Sequence, residues 1–431
     1  MKYFSLNNRE HTSNFENAVV RGLAPDKGLY FPENIDKLPA SFFNNIQNLD
    51  KTEISFEAIK SFVGNEISNS ALIDIIDQTV DFEFPIVEIN DRIGSLELFH
   101  GPTLAFKDVG ARFMAGSLGY FIKKGNLGKI TVLVATSGDT GGAVANGFLG
   151  VEGIDVVILY PKGKVSEIQE KQLTTLGKNI TALEVKGTFD DCQVMVKKAF
   201  LDSDITNERK LTSANSINVA RWLPQMFYYL FAYKQLQKMD KKLVFSVPSG
   251  NFGNICAGLM AREIGLPIDH FIASNNANDT ITSYMETEEY KTKPSVATIS
   301  NAMDVGDPSN FVRILKLFKH DHAYLKEKFS AYSFNDEKTK NSMREVYSET
   351  GYIMDPHGAV GYLGLQKFLQ TNPDYYGTFL ETAHPVKFLN TVEEAINNKV
   401  AIPDSIQSLM EKQKKSLQIS NYEDLKGYLL S

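Results

Sequence analysis

The stretch ITVLVATSGDTGGA (Ile130–Ala143) decides the fold. Its first seven residues carry no charge and are rich in β-branched types, the pattern of a strand buried on both faces. The glycine-rich TSGDTGG then reads as a tight turn, and the Ala-rich run after it reads as a helix. Strand, turn and helix in that order make the repeating unit of a parallel sheet.

The unit recurs along the chain. VVILYP (156–161) reads as a strand, and VSEIQEKQLTTLG as a helix that ends at Gly177. ITALEVKG (180–187) and FDDCQVMVKKAFLD (189–202) repeat the alternation. A long helix is expected over Val219–Leu236, interrupted or begun near Pro224. KLVFSVPS (242–249) is another buried strand with a glycine turn after it, and YGTFLET (376–382) is a late strand leading into AHPVKF. Repeated units of this kind imply parallel sheets covered by helices on both faces. The first 85 or so residues, by contrast, are broken by turns such as GLAPDKGLYFPE (22–33) and carry no obvious chemistry.

The totals narrow the function. With 431 residues, 43% hydrophobic and 23% charged, the chain is long enough for two or three domains with sizeable cores. A formal net charge of -7 argues against nucleic-acid binding, which needs a basic surplus to neutralise phosphates. Two distant cysteines, Cys192 and Cys256, offer neither a disulfide framework nor a thiolate cluster, and a reducing, cytoplasmic setting fits them. The seven histidines lack HExxH spacing, so no metal is expected. No apolar run approaches the length of a membrane span, and none is expected to engage a membrane.

Open parallel sheets bind ligands beyond the carboxyl ends of their strands, where helices begin. TSGDTGGA (136–143) and PSGNFGN (248–254) both occupy such positions. Glycines there admit a ligand close to the backbone, and free N–H groups at the helix start favour an anion. Neither turn ends in GK[ST] or contains GxGxxG, so the signatures of phosphoryl transfer and dinucleotide binding are absent. Tight packing alone could equally explain either turn. Asp139 could cap its helix or face a ligand. A third polar cluster, TSANSINVAR (212–221), combines the short donors Asn215, Ser216 and Asn218 with Arg221, a side chain suited to forked contact with phosphate.

LELFHGPTLAFKDVGARF (96–113) adds an unusual lysine. With a helix starting near Thr103, the neighbours of Lys107 one turn away are Thr103, Leu104, Gly110 and Ala111, a small apolar face. Asp108 and Arg112, four apart, can satisfy each other beside it, which leaves Lys107 without an evident carboxylate. Either the ammonium reaches water along its methylene stem, or burial lowers its pKa so that the neutral amine can attack a carbonyl.

Together these segments resemble the threonine synthases, pyridoxal-phosphate enzymes of the longer bacterial and fungal branch. The resemblance runs through RGLAPDKGLYFPE, LELFHGPTLAFKD, TSGDTGGAV, VVILYPKGKVSEIQEKQ, SANSINVAR, VPSGNFGN, SNAMDVGDPSN and TAHPVKF, in that order. It implies an α/β architecture of pyridoxal-phosphate fold type II, like the tryptophan synthase β chain. That fold has two α/β domains with mainly parallel sheets plus an N-terminal extension domain. The implied division is 1–85 for the extension, 86–110 with 220–431 for a large cofactor-binding domain, and 111–219 for a small substrate-binding domain.

The resemblance also implies roles. Lys107 would hold pyridoxal 5'-phosphate as an imine and act as the catalytic base and acid. Gly250, Asn251, Phe252, Gly253 and Asn254 would cradle the cofactor phosphate. Thr382 would face the pyridine nitrogen, and Asp139 would lie near the ring's 3-hydroxyl, where relatives often carry Asn. The substrate would be O-phospho-L-homoserine, its carboxylate held by Ser137 and Thr140 and its phosphate by Asn215, Ser216 and Arg221. The products would be threonine and orthophosphate. The rivals are a phospho-lyase that releases 2-oxobutyrate and a non-catalytic protein that binds the cofactor or a phosphometabolite. A monomer is expected, with a homodimer as the alternative.

Overall fold

A computed structural model of the chain describes residues 1–125 and 127–431. It contains three sheets. The strands β1 (Lys2–Ser5), β2 (Thr12–Asn14) and β3 (Tyr30–Pro32) form a small antiparallel sheet in the order β2-β1-β3. Next come β4 (Ile86–Asn90), β5 (Ile93–Glu97), β6 (Ile130–Ala135), β7 (Ile154–Pro161), β8 (Ile180–Val185) and β9 (Lys210–Thr212). The remaining strands are β10 (Lys242–Pro248), β11 (His270–Asn275), β12 (Phe329–Ser333), β13 (Tyr375–Glu381) and β14 (Leu417–Ile419).

A five-stranded sheet has the order β14-β8-β7-β6-β9 and is parallel throughout. A six-stranded sheet has the order β12-β11-β10-β13-β5-β4 and is parallel except where β4 pairs antiparallel with β5. Every residue of β6 and of β11 is buried, as expected of strands covered on both faces. Among the described residues, no helix is long and apolar enough to cross a membrane.

Strand order locates the ligand crevices. From β6 the chain proceeds to β7 and β8 on one side and later returns to β9 on the other. From β10 it proceeds to β11 and β12 on one side and returns to β13 on the other. The carboxyl ends of β6 and β10 are therefore topological switch points, and both glycine turns sit there.

Two details differ from the sequence reading. The helix carrying Lys107 starts at Lys107 itself and runs to Gly125, not from Thr103. Residues 104–106 instead pair with the chain after β13: Ala105 bridges Ala383, Phe106 N donates to Thr382 O (2.9 Å), and His384 N donates to Leu104 O (3.1 Å). The segment 417–419 joins the edge of the five-stranded sheet, so the C-terminal chain crosses back to the region proposed as the smaller domain.

His270 opens β11, stacked on Phe368 at 4.8 Å and bonded to Ser330 at 2.8 Å. Burial pushes its pKa down to about 4 from 6.5. The unfolded chain thus binds the extra proton first, so this site's contribution is intact above about 6.5 and is lost as pH falls toward about 4. His270→Phe should lose less stability across that window than the parent, by on the order of 2 kcal/mol, as measured by urea unfolding at both ends.

Candidate active site

Three adjacent strands of the six-stranded sheet deliver the expected cofactor residues. β10 leads into 250–254, β13 into Thr382, and β5 into the Lys107 segment. Neighbouring strands lie about 4.8 Å apart, so the carboxyl ends of these three strands span about 10 Å. Sheet order, with the Phe106–Thr382 hydrogen bond that draws the lysine segment to β13, therefore gathers an anion cradle, a hydroxyl and an amine at one end of the sheet.

The cradle is built from backbone. Phe252 adopts φ 61°, and this left-handed residue caps the helix Gly253–Glu263. Among the described residues none accepts a hydrogen bond from the N–H groups of Gly250, Asn251, Phe252, Gly253 or Asn254. Five successive free donors at a helix start fit a phosphate. Gly250 is required by packing, since a Cβ there would lie 2.7 Å from Met303 Cα. The side chains brace the loop: Asn254 Nδ2 donates to Pro248 O (2.9 Å), and Asn251 Oδ1 accepts from Ser309 N (2.7 Å).

Lys107 is half-buried and, among the described residues, has no ion-pair partner. Burial chiefly lowers its pKa. The charges of Lys387 and Arg221 push the same way, and Asp139 and Asp355 oppose them. Its place at the first position of a helix adds to the effect, because the dipole disfavours a cation there. The backbone around it is fixed from both sides, with Phe106 N bound to Thr382 and Phe106 O accepting from Tyr228 OH. Leu104 adopts φ 56°, strained for a non-glycine residue, and sits within this support.

The expected Asp108–Arg112 pair does not form. Asp108 turns inward and accepts from Thr103 N (2.9 Å) and Thr103 Oγ1, and burial raises its pKa to about 6. Arg112 pairs instead with Asp81 at 2.7 Å. The small face beside Lys107 has a purpose: a Cβ on Gly110 would lie 2.6 Å from Arg221 O and 3.0 Å from Arg221 Nε. Glycine lets Arg221 cross within a turn of the lysine.

Arg221 is 3% exposed and donates to Ala214 O, while its Nε lacks any partner. Burial lowers its pKa to about 10, still far above neutrality, so a guanidinium sits out of water without a carboxylate bonded to it. That arrangement fits an anionic ligand. Ser216 Oγ accepts from Asn251 Nδ2 (2.9 Å) and Asn310 Nδ2 (3.0 Å), which ties the 213–221 turn to the cradle. Asn215 is half-buried in the same turn, whereas Asn218 is structural: it caps the following helix and binds Val19 O (2.8 Å).

On the opposite sheet, Asp139 is the first residue of the helix Asp139–Gly147, and Gly138 is the cap. Its carboxylate is not a cap and does not stand free. Asp139 Oδ1 lies 2.7 Å from Lys387 Nζ and accepts from Gln169 Nε2 at 2.8 Å. Burial by itself would raise the Asp139 pKa, but Lys387, Lys107 and the hydrogen bonds outweigh it and hold the group well below the usual carboxylate range. Lys387 also donates to Thr103 O (2.9 Å), and Gln172 Nε2 reaches the same carbonyl (3.0 Å). The pair thus joins the β6 turn to the Lys107 segment. Ser137 and Thr140 are half-buried in this turn, and the N–H groups of Asp139 and Thr140 find no acceptor among the described residues. Gly138, Gly141 and Gly142 answer to packing: added Cβ atoms would meet Gln169, Leu173 and Gln172 respectively.

Sequence reasoning missed Lys387, Gln169, Asn310 and Arg313. Lys387, Gln169 and Asn310 stand inside segments that carried the resemblance and Arg313 lies three residues beyond one, but only their burial distinguishes them from ordinary surface polar residues.

Comparisons with known proteins define the fold and the family. The family described as pyridoxal-phosphate dependent enzyme matches residues 95–375, and more distant structures such as maize serine racemase (16% identical, TM-score 0.56) share the fold. The chain is a pyridoxal-phosphate-dependent enzyme of fold type II. Flanking matches are threonine synthase N terminus over 2–80 and threonine synthase, C-terminal, over 358–428. Threonine synthase from Buchnera aphidicola is 43% identical over 433 residues, covering 100% of both chains, and that from Escherichia coli is 42% identical, covering 94% of each. The crystal structure of the Escherichia coli enzyme has a TM-score of 0.93 at 40% identity, covering 100% of this chain and 99% of its own. A PLP-bound threonine synthase from Brucella melitensis has a TM-score of 0.94 at 32% identity with the same coverage. The chain belongs to the threonine synthase family.

Lys387→Met should strand Asp139 as a buried charge and cost about 3 kcal/mol or more in denaturant unfolding. Adding Asp139→Asn to that variant should recover more than half of the loss.

Proposed function

We propose that the chain converts O-phospho-L-homoserine and water to L-threonine and orthophosphate. The C–O bond at the substrate's γ-carbon breaks, and the water oxygen bonds to the β-carbon, so the sum balances without an oxidant or reductant. The observation that carries this reading is the pairing of two anion sites around one amine. The 250–254 cradle fits a cofactor phosphate, and the unpaired guanidinium of Arg221 fits a second phosphate. A dehydratase acting on serine or threonine would have no use for the second site.

When bound, pyridoxal phosphate supplies an electron sink for carbanionic character at the substrate's α- and β-carbons. Lys107 Nζ would hold the cofactor aldehyde and, once released, take the α-proton and return protons later. Its lowered pKa keeps a share of the amine neutral for both tasks. Thr382 Oγ1 would face the pyridine nitrogen as a neutral partner. Asp139 stays ionised beside Lys107 because Lys387 neutralises it, so it repels an anionic ligand less than a bare carboxylate would. Ser137, Thr140 and the free N–H groups of that turn would receive the substrate carboxylate. Asn215, Ser216 and Arg221 would hold its phosphate until it leaves. Closing the cleft between the two parallel sheets would keep water out until then.

We further propose the domain division 1–85, 86–110 with 220–431, and 111–219, and a monomer working in the cytoplasm without nucleic-acid partners. The free, buried Cys192 and Cys256 fit a reducing compartment.

Purified enzyme with cofactor and phosphohomoserine should release threonine and phosphate in equal amounts; 2-oxobutyrate in place of threonine would establish the phospho-lyase instead. Lys107→Ala should reduce turnover by about a thousandfold or more and abolish the absorbance of the covalently held cofactor. Arg221→Ala should raise KM by roughly ten- to hundredfold, more than it lowers kcat.

A further inference from the structure

The second arginine near the substrate-phosphate turn is treated very differently from the first. Arg313 is fully buried, and among the described residues no carboxylate pairs with it. Its guanidinium lies 4.1 Å over the ring of Trp222, which is adjacent in sequence to Arg221. Its two terminal nitrogens are instead filled by neutral acceptors, while Nε, like that of Arg221, has none among the described residues. Nη1 donates to Ser216 O (3.1 Å) and Asn310 Oδ1 (2.7 Å), and Nη2 donates to Ile217 O (2.7 Å) and Tyr30 O (3.0 Å).

Those acceptors come from three separate parts of the chain: the end of the N-terminal sheet, the 213–221 turn, and the start of the helix Phe311–Leu317. A planar fork with fixed donor directions sets their mutual register in a way that an ammonium cannot. Asn310 extends the arrangement. It is fully buried, accepts from Arg313 through Oδ1, and through Nδ2 donates to Ser216 Oγ (3.0 Å) and Asn251 O (3.0 Å). With Asn251 Nδ2 also donating to it, Ser216 Oγ has both acceptor positions taken, so the hydroxyl hydrogen is what it has left to give.

We propose that Arg313 is a positioning residue for substrate phosphate. It clamps the Ser216–Ile217 backbone so that the Ser216 hydroxyl hydrogen and the unspent donors of Arg221 converge on one anion. This rests on the reading that the 213–221 turn takes that phosphate. Arg313 spends both terminal nitrogens on four protein acceptors, whereas Arg221 spends a donor on Ala214 O alone and keeps the rest for the ligand.

The test compares Arg313→Lys, Asn310→Ala and Arg221→Ala with the parent holoenzyme. The readouts are KM and kcat for phosphohomoserine, the dissociation constant of inorganic phosphate by calorimetry, and cofactor affinity by absorbance titration. Arg313→Lys keeps the charge and loses the fork, so KM and the phosphate dissociation constant should both rise by about tenfold, with kcat and cofactor affinity changed by less than about threefold. Asn310→Ala should shift KM and phosphate affinity in the same direction by about threefold, and it decides the matter should Arg313→Lys fail to fold. Unchanged KM and phosphate affinity in the folded variants, with only thermal stability lowered, would overturn the proposal in favour of packing alone. A failure of the underlying reading looks different: Arg221→Ala itself would then leave phosphate affinity and KM at parental values.

Discussion

Keeping positive charge out of water is the constraint on which the site depends. Lys387, Arg221 and Arg313 are buried, and Lys107 is half-buried beside them. Isolated buried cations are costly, and each is settled by different means. Lys387 has a carboxylate, Asp139, at 2.7 Å. Arg313 has four neutral acceptors. Lys107 has its proton affinity lowered, so that the charge itself is lost more readily. Both arginines leave Nε without a partner, but Arg221 has a single acceptor, Ala214 O, where Arg313 has four, and that shortfall is what makes the place an anion site.

The two parallel sheets divide the work through topology. Each has a switch point, at the carboxyl ends of β6 and β10, and each switch point carries a glycine turn. The turns nevertheless use glycine differently. In 250–254 the backbone donors are free and Gly250 permits close approach of the Met303 segment. In 138–142 the glycines make room for Gln169, Gln172 and Leu173, and Gln169 in turn holds Asp139. The second turn therefore acts on the site through its packing as well as through its N–H groups.

Much of this was legible in the sequence, and the limit is physical. Strands such as 130–135 and 156–161 are uncharged, largely apolar runs whose burial on both faces leaves a plain mark. The break near Pro224 likewise appears as a short 3-10 turn between helices. The start of the Lys107 helix was misplaced because residues 103–106 are held by partners almost three hundred residues away, through Thr382, Ala383 and Lys387. Local propensity carries no trace of such contacts. Leu104 and Phe252 adopt left-handed conformations without being glycine; Gly250 and Gly253 still mark the turn around Phe252, but at Leu104 the usual marker is missing. Lys387, Asn310 and Arg313 have surface-type side chains, and nothing within a window of neighbours reveals that they are buried.

The N-terminal region gains a physical role from the same reasoning. It contributes carbonyls: Tyr30 O receives Arg313, and Val19 O receives Asn218. A carboxylate in either place would neutralise the cationic pocket and compete with an incoming phosphate. A carbonyl satisfies the donor while leaving the positive field intact. Backbone from the N-terminal region, a strand at Tyr30 and a helix at Val19, is thus a suitable wall for this turn, because it orders the arginine and the asparagine without cancelling the charge that the ligand is to meet.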